Sequence, residues 1–196
     1  MEYIKDLSNK YVKQNHKIGE VLFVDGLVDV SDPCYDRGTW CARYDVKVKP
    51  GKYCAFIDEV DFPSTWEYQD GDEKYYPEAV PGKKFTMHDI RVVTLTIFNS
   101  EYVRQYLNKE YNCYKLSDNI GVDAGLCGFY SHLPESLSDD EWNKLVDNLE
   151  ENSNHNVCDC HHLNGVTVSS GFGDGVYKVY KLTVDRKVVG LQLVFA

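Results

Sequence analysis

The sequence lacks the features of a membrane or exported protein. No apolar run approaches the ~18 residues that a membrane-spanning helix requires. Residues 1–20, MEYIKDLSNKYVKQNHKIGE, contain no hydrophobic segment of the kind that a signal peptide needs. We therefore expect a cytoplasmic protein that does not associate with a membrane.

Clustered positive charge is also missing. The 196 residues include 21 Lys and Arg against 31 Asp and Glu, which gives a formal net charge of −10, and no stretch is markedly basic. Because binding to nucleic-acid phosphates needs clustered Lys and Arg, this composition argues against a nucleic-acid-binding protein. The length and composition are those of a globular protein, and we expect a single domain over residues 1–196.

Signatures of several well-known sites are absent as well. The glycine-rich stretch SSGFGDGVYKVYKL, residues 169–182, does not end in the Gly-Lys-Ser/Thr of a P-loop. No helical pattern follows it, so it is not a dinucleotide fingerprint either. The seven cysteines are an odd number and follow no export signal, so we expect reduced thiols rather than a disulfide framework.

Alternating and β-branched runs dominate the sequence that is present. They predict an α+β protein made mainly of antiparallel β-sheet, or a partly open barrel, with one or two helices. Asp25-Gly26 and Pro50-Gly51 each separate two apolar runs and predict hairpin turns. Residues 89–99 predict a central strand, and residues 165–195 predict three more strands.

Two segments have helical patterns. Residues 100–111 predict a short helix capped by Ser100. Residues 137–152 predict a longer helix, because Ser138 and Glu141 have the spacing of a capping box. The apolar face of this helix is formed by Trp142, Leu145, Val146 and Leu149.

Two other segments have little regular pattern. Residues 1–17 predict a short helix or a mobile arm. Residues 58–88 are rich in acids, aromatics and proline, and predict a long surface loop.

The glycine loop at residues 169–175 has two interpretations. Asp174-Gly175 stands just before an alternating strand and is typical of a hairpin turn. Alternatively, glycine frees backbone N–H groups that face an anion, with Ser169, Ser170 and Asp174 as polar contacts. The sequence leaves both interpretations open.

A second motif, VSDPCYDRGTWC, occupies residues 30–41. A strand that ends at Ser31 would place Asp32 at the rim of a sheet, where its carboxylate could contact a ligand. Cys34 is then a candidate nucleophile. Tyr35 and Trp40 lie in the same apparent loop, and aromatic residues in loops are typical of binding surfaces.

A third motif, NVCDCHHLNG, contains zinc-type ligands. Cys158, Cys160, His161 and His162 stand too close together to surround one tetrahedral ion by themselves. Whether these four residues bind a metal stays open at this point.

Taken in order, VSDPCY…GTWC…VKPGKYCAFI, GVDAGLCGFY and VSSGFGDGVYKVY resemble a bacterial and phage family catalogued as domain of unknown function 4241. The resemblance spans residues 21–195 and is strongest at the two glycine loops, whereas Cys127 stands where the family is expected to vary. It implies no activity. The positions that it matches to the family's motif are Asp32, Asp123, Gly125, Gly171, Asp174, Gly175 and Tyr177.

We expect the loops around Asp32, Asp123 and Asp174 to converge on one pocket for a small-molecule ligand or a host protein. No metal and no cofactor is expected in this pocket. The predicted ligand-binding residues are Asp32, Cys34, Tyr35, Trp40, Asp123, Gly125, Ser169, Ser170, Gly171, Asp174, Gly175 and Tyr177.

Three functions are compatible with these patterns. The preferred hypothesis is a binding protein of bacterial or phage origin that sequesters a nucleotide-like signal or blocks a host defence partner. The second is a hydrolase of a small phosphorylated substrate, in which the three Asp residues hold a cation or one carboxylate acts as acid or base. The third is an inhibitor or immunity protein with an interface at residues 62–76.

Overall fold

Strands dominate the structure, a computed structural model that describes residues 11–77, 79–133, 135–151, 155–158 and 164–195. The strands are β1 (Tyr11–Phe23), β2 (Leu27–Ser31), β3 (Arg43–Lys47), β4 (Gly51–Asp61), β5 (Ser64–Glu67), β6 (Lys84–Met87), β7 (Ile90–Asn99), β8 (Asn112–Lys115), β9 (Ile120–Val122), β10 (Leu126–Tyr130), β11 (His155–Cys158), β12 (Gly165–Ser169), β13 (Gly175–Val184) and β14 (Lys187–Val194). The helices are α1 (Val103–Leu107) and α2 (Asp139–Glu151), and short 3-10 turns occupy Asp72–Lys74 and Ser100–Tyr102.

The strands form two main sheets. In the large sheet the order is β1-β4-β7-β14-β13-β8, and β9 also pairs with β13. In the small sheet the order is β11-β12-β10-β2-β3, while β5 and β6 form a separate ribbon. The predicted α+β, mainly antiparallel fold is confirmed, and the sheets of the described residues do not close into a barrel.

The two main sheets share one hydrophobic core. Phe23, Tyr53 and Ile97 from the large sheet belong to the same buried cluster as Val30 and Phe129 from the small sheet. Because successive side chains of a strand point to opposite faces, every second residue along β4, for example Tyr53, Ala55 and Ile57, reaches this core. The sheets therefore pack face to face, and each has a second, outer face.

Each helix covers part of an outer face. Leu145 and Leu149 of α2 pack against Tyr130 of the small sheet. Tyr106 of α1 packs against Phe56 and Phe98 of the large sheet, with ring centroids 4.8 and 5.1 Å away. Neither helix is long and apolar enough to cross a membrane, within the residues that the structure describes.

The helix starts differ in how well they were predicted. The capping box of α2 is confirmed, since the Ser138 N–H donates to Glu141 Oε2 at 2.9 Å. The predicted cap at Ser100 is wrong: Asn99 accepts the N–H of Glu101 instead, at 3.1 Å. Asn99 ends β7, which pairs with β4 and β14 and is the predicted central strand.

Two predicted hairpin turns and the hairpin interpretation of the glycine loop are wrong for a shared reason. Asp25-Gly26, Pro50-Gly51 and the loop before Gly175 each connect a strand of one main sheet to a strand of the other. The chain does change direction at these residues, but the strand that follows belongs to the facing sheet and does not pair with the strand before it. Asp185-Arg186 does form a hairpin between β13 and β14, with φ angles of 48° and 65°.

The first described residues form a strand rather than the expected helix or arm. β1 pairs with β4 from Tyr11 opposite Val60 to Phe23 opposite Gly51, and residues 1–10 lie outside the described part. β4 supplies a long partner for hydrogen bonding, which decides the conformation of this segment. The register of the pair is interrupted by a bulge at Asn15, whose φ is 49°.

The expected long loop at residues 58–88 contains regular structure. β4 continues to Asp61, and β5 pairs with β6 with Trp66 opposite Phe85. Phe85 is buried and lies 5.8 Å from the ring of Tyr76. The cross-strand pair of Trp66 and Phe85, together with the contact from Tyr76, stabilises a two-stranded ribbon that the acidic composition conceals.

The tight approach of the β1–β2 connection to the β3–β4 connection is testable with alanine. Gly26 has φ of 70°, and a Cβ there would lie 2.5 Å from the backbone oxygen of Val48. Gly82 has φ of 72° with nothing within 4 Å of the same position. We expect Gly82→Ala to lower the free energy of unfolding by about 1 kcal/mol through backbone strain. Gly26→Ala should lower it by roughly 3 kcal/mol, since the clash adds to that strain.

Urea denaturation followed by circular dichroism measures both variants. Equal losses would show that the approach to Val48 does not constrain the fold.

Candidate functional site

The structure brings the three predicted loops together through the carboxylate of Asp32. Asp32 Oδ2 accepts the N–H groups of Asp123 and Ala124 at 2.8 and 2.7 Å, and Oδ1 accepts that of Cys34 at 2.9 Å. The glycine loop joins them, because the Ser170 N–H donates to the backbone oxygen of Gly125 at 2.8 Å.

The polar atoms at this junction are used within the protein. Asp32 and Ser170 are completely buried. The hydroxyls of Ser170 and Tyr177 both donate to the backbone oxygen of Gly173, at 2.5 and 2.8 Å. These side chains hold the loops in place, so the predicted ligand contacts at Asp32, Ser170 and Tyr177 are structural contacts here.

The other predicted residues are divided between two grooves and the surface. Ser169 and Gly171 line a groove beside the glycine loop. Trp40, which is 87% exposed, lines a separate groove with Val176. Cys34, Asp123 and Asp174 are exposed, while Tyr35, Gly125 and Gly175 are half-buried.

The surroundings of Cys34 oppose a nucleophilic role. Although the residue as a whole is exposed, partial burial raises the pKa of its thiol to about 12, helped by the hydrogen bond and negative charge of Asp32 and by the charge of Asp123. Nucleophilic cysteines need a lowered pKa and a cationic neighbour. The carboxylates of Asp32 and Asp123 have the opposite effect, because they raise the pKa of the thiol.

The three-aspartate cation site is not supported by the geometry. Asp32 already accepts three N–H groups, and within the described residues no group of three or more His, Cys, Asp or Glu is arranged to hold a metal ion. Of the Cys-His motif, the backbone of Cys158 ends β11, and Cys160, His161 and His162 lie outside the described residues.

The groove beside the glycine loop has a volume of about 320 Å³ and carries one guanidinium. Gly171 has φ of 68°, and a Cβ there would lie 2.1 Å from the backbone oxygen of Val92, so the loop rests directly on β7. Arg91 lies 4.9 Å from the ring centroid of Phe172, and its Nε donates to Asp89 at 2.7 Å.

A larger site lies on the outer face of the large sheet, beside α1. We call it the outer-face cavity, and its volume is about 470 Å³. Aromatic walls with a few fixed polar groups are typical of small-molecule sites. Its lining residues are Tyr11, Gln14, Asn15, Asp58, Tyr106, Lys109, Tyr111, Asn112, Cys113 and Gln192.

The floor of the outer-face cavity is polar, although it lies in the middle of a sheet. Asp58 is 8% exposed. Its Oδ1 accepts the N–H of Asn15 at 2.7 Å, and its Oδ2 accepts the hydroxyl of Thr94 at 2.8 Å. Next to them, the side-chain amide of Gln192 donates to the hydroxyl oxygen of Thr96 at 2.9 Å.

Burial controls the ionisation of the groups around this floor. It raises the pKa of Asp58, an effect that the two hydrogen bonds and the charge of Lys109 oppose. Burial and the charge of Asp58 raise the pKa of Tyr11 to about 12 and raise the pKa values of Tyr106 and Tyr111. The three phenols therefore stay neutral at physiological pH.

Asp58 differs from the carboxylate that follows it in the chain. Glu59 is also buried, but its carboxylate lies 2.8 Å from Lys13 Nζ. Among the described residues, no Lys, Arg or His nitrogen lies within ion-pair distance of Asp58. A buried carboxylate without a cation costs stability, so its retention at the floor of a cavity marks a candidate site.

Sequence reasoning missed this site because it assigned Asp58 to a loop. The available signal was the alternation of β4: Tyr53, Ala55 and Ile57 enter the shared core, so Cys54, Phe56 and Asp58 face outward. Two threonines that stand two positions apart in β7, Thr94 and Thr96, mark the same polar face.

Comparisons with known proteins give no match: no family model, no curated protein and no solved structure corresponds to this chain. The resemblance stated from the three motifs therefore stays a prediction, and the site is argued from its own geometry.

The role of Asp32 in joining the loops predicts a loss of stability in Asp32→Asn. Asparagine has one acceptor oxygen, so it cannot satisfy the three N–H donors. We expect the free energy of unfolding to fall by about 2 kcal/mol. Asp123→Asn makes the same chemical change on an exposed side chain and should stay within about 0.5 kcal/mol of the wild type. Chemical denaturation measures both, and a harmless Asp32→Asn would contradict the assigned role.

The buried charge of Asp58, which has no ion-pair partner among the described residues, predicts the opposite effect for Asp58→Asn. An Asn oxygen can accept the Asn15 N–H while its amide donates to Thr94, so both hydrogen bonds are retained. We expect the variant to be more stable than the wild type at about pH 7.5, by roughly 0.5–2 kcal/mol. Because the folded-state pKa of Asp58 is raised, ionisation costs stability as the pH rises above its ordinary value of 3.8, so the gain should shrink toward pH 4.

Glu59→Gln is the matched control, since that variant breaks an ion pair and should bring no gain. Unfolding free energies from pH 4 to pH 8 test the pair. A wild type that is more stable than Asp58→Asn at neutral pH would contradict this account of the cavity floor.

Proposed function

We propose that this chain is a small-molecule-binding protein and that its ligand occupies the outer-face cavity. The observation that carries the proposal is the buried Asp58 carboxylate, held by Asn15 and Thr94 at the floor of a cavity of about 470 Å³. Tyr106 and Tyr111, which stack at 5.9 Å, form an aromatic wall.

The dimensions and the lining support a ligand rather than trapped solvent alone. Small-molecule sites usually measure about 300–1,000 Å³ and combine aromatic surface with a few polar groups that fix orientation. Asp58 and Gln192 are polar groups of this kind, because hydrogen bonds to Thr94 and Thr96 restrain both side chains. A site whose polar groups are restrained before binding loses less entropy when a ligand arrives.

The contacts of Asp58 suit a recognition group. Each carboxylate oxygen accepts one fixed donor, the Asn15 N–H or the Thr94 hydroxyl, so the carboxylate is held in one orientation before a ligand binds. Fixed polar groups of this kind set the orientation of a ligand in a small-molecule site.

One observation favours a second candidate, an anionic nucleotide-like ligand in the groove beside the glycine loop. Arg91 supplies a guanidinium next to the ring of Phe172, which is 40% exposed, and guanidinium groups suit phosphate recognition. In this proposal the protein sequesters a signal. A bacterial or phage setting, or the blocking of a defence partner, would follow from the motif resemblance alone.

Native mass spectrometry of gently purified protein tests the first proposal. We expect the wild type to retain a small non-covalent mass. Asn112→Trp should lose it, because Asn112 lines the cavity and the larger side chain fills it. Tyr114→Trp is the control, since Tyr114 lies on the same strand, is exposed and is not among the cavity residues.

The outcomes separate the candidates. A phosphate-bearing mass that survives Asn112→Trp but is lost in Arg91→Gln assigns the ligand to the glycine-loop groove. A wild type that carries no mass and binds nothing in a metabolite screen by ligand-observed NMR overturns the proposed function.

A further inference from the structure

The charge at the floor of the outer-face cavity restricts what the cavity accepts. Asp58 uses one lone pair on each oxygen, for Asn15 N–H and for the Thr94 hydroxyl, and both donors are uncharged. Among the described residues the carboxylate thus has hydrogen bonds but no ion-pair partner, and the charge of Lys109 acts on it only from beyond ion-pair distance. In a site of low dielectric, an anionic ligand would be repelled and a cationic ligand attracted.

The aromatic walls of the outer-face cavity also favour a positively charged ligand. Tyr11, Tyr106 and Tyr111 all line the cavity, and each has a pKa raised by burial, so none becomes an anion at neutral pH. Faces of neutral tyrosine rings attract cations by about 0.5–2 kcal/mol. The net charge of −10 on the chain also raises the local concentration of cations.

The size of the cavity favours an organic cation over a metal ion. Asp58 is the one carboxylate among the residues that line it, and its other polar groups are mostly amides and phenols. A metal ion needs several oxygen, nitrogen or sulfur ligands at short distances, and no such cluster occurs in the described residues. A volume of about 470 Å³ has space for an ammonium group together with a carbon skeleton.

We propose that the outer-face cavity binds an organic ammonium ion, with the positive charge directed to Asp58 and the carbon skeleton against the tyrosine walls. This inference rests on the proposed function and names the class of its ligand. Lys109, which is exposed and also lines the cavity, is a competing positive charge and opposes binding.

Isothermal titration calorimetry with the full chain tests the inference. The probes are choline and phenylethylammonium, with their neutral isosteres 3,3-dimethylbutan-1-ol and 2-phenylethanol. We expect at least one ammonium ion to bind about tenfold more tightly than its isostere. Asp58→Asn, which should fold at least as stably as the wild type, should remove that preference.

A pair of lysine variants adds a control of matched charge. Lys109→Gln should tighten the binding of the ammonium ion several-fold, because it removes the competing charge. Lys144→Gln makes the same change on α2, which packs on the other sheet, and should have no effect.

The outcomes distinguish this inference from the proposed function. Isosteres that bind as well as the ammonium ions, with Asn112→Trp blocking both, overturn the inference and leave a cavity that binds neutral ligands. If neither choline nor phenylethylammonium binds, the inference is also overturned. In that case a retained neutral or anionic ligand in native mass spectrometry leaves the proposed function standing. A wild type that retains and binds no ligand contradicts both the inference and the proposed function.

Discussion

The structure depends on the packing of two antiparallel sheets against one shared core. Phe23, Tyr53 and Ile97 on one side meet Val30 and Phe129 on the other, and this contact orients the connections between the sheets. Since each strand can give only one face to the core, the large sheet has an outer face that must be covered or used. α1 covers one part of that face, and the outer-face cavity occupies a neighbouring part.

Sequence patterns predicted the elements well and their connections poorly. The antiparallel α+β class, the central strand β7 and the capping box at Ser138 were all readable, because they depend on residues close together in the chain. Asp25-Gly26 and Pro50-Gly51 were correctly placed as turns, but turn chemistry does not indicate which sheet receives the next strand. That choice is made by the shared core, which joins residues far apart in sequence.

Local sequence patterns were also insufficient to predict the candidate sites in full. Sequence reasoning brought the loops of Asp32, Asp123 and the glycine stretch to one place, and they do meet there. It did not indicate that Asp32 would be used by backbone N–H groups, since an aspartate in a turn looks the same whether it binds a ligand or its own loop. Asp58 was missed because burial of a charge is a property of the assembled sheet.

The bulge at Asn15 affects both the floor of the outer-face cavity and the edge of the large sheet. Its backbone N–H turns toward Asp58, which takes Asn15 out of the regular ladder of β1, the strand at the edge of the large sheet. An exposed edge strand with an unbroken ladder invites pairing with strands of other molecules, and bulges interrupt that template. The irregularity that builds the cavity floor therefore also interrupts the ladder at the edge of the large sheet, as do the bulges by which proteins hinder edge-to-edge pairing.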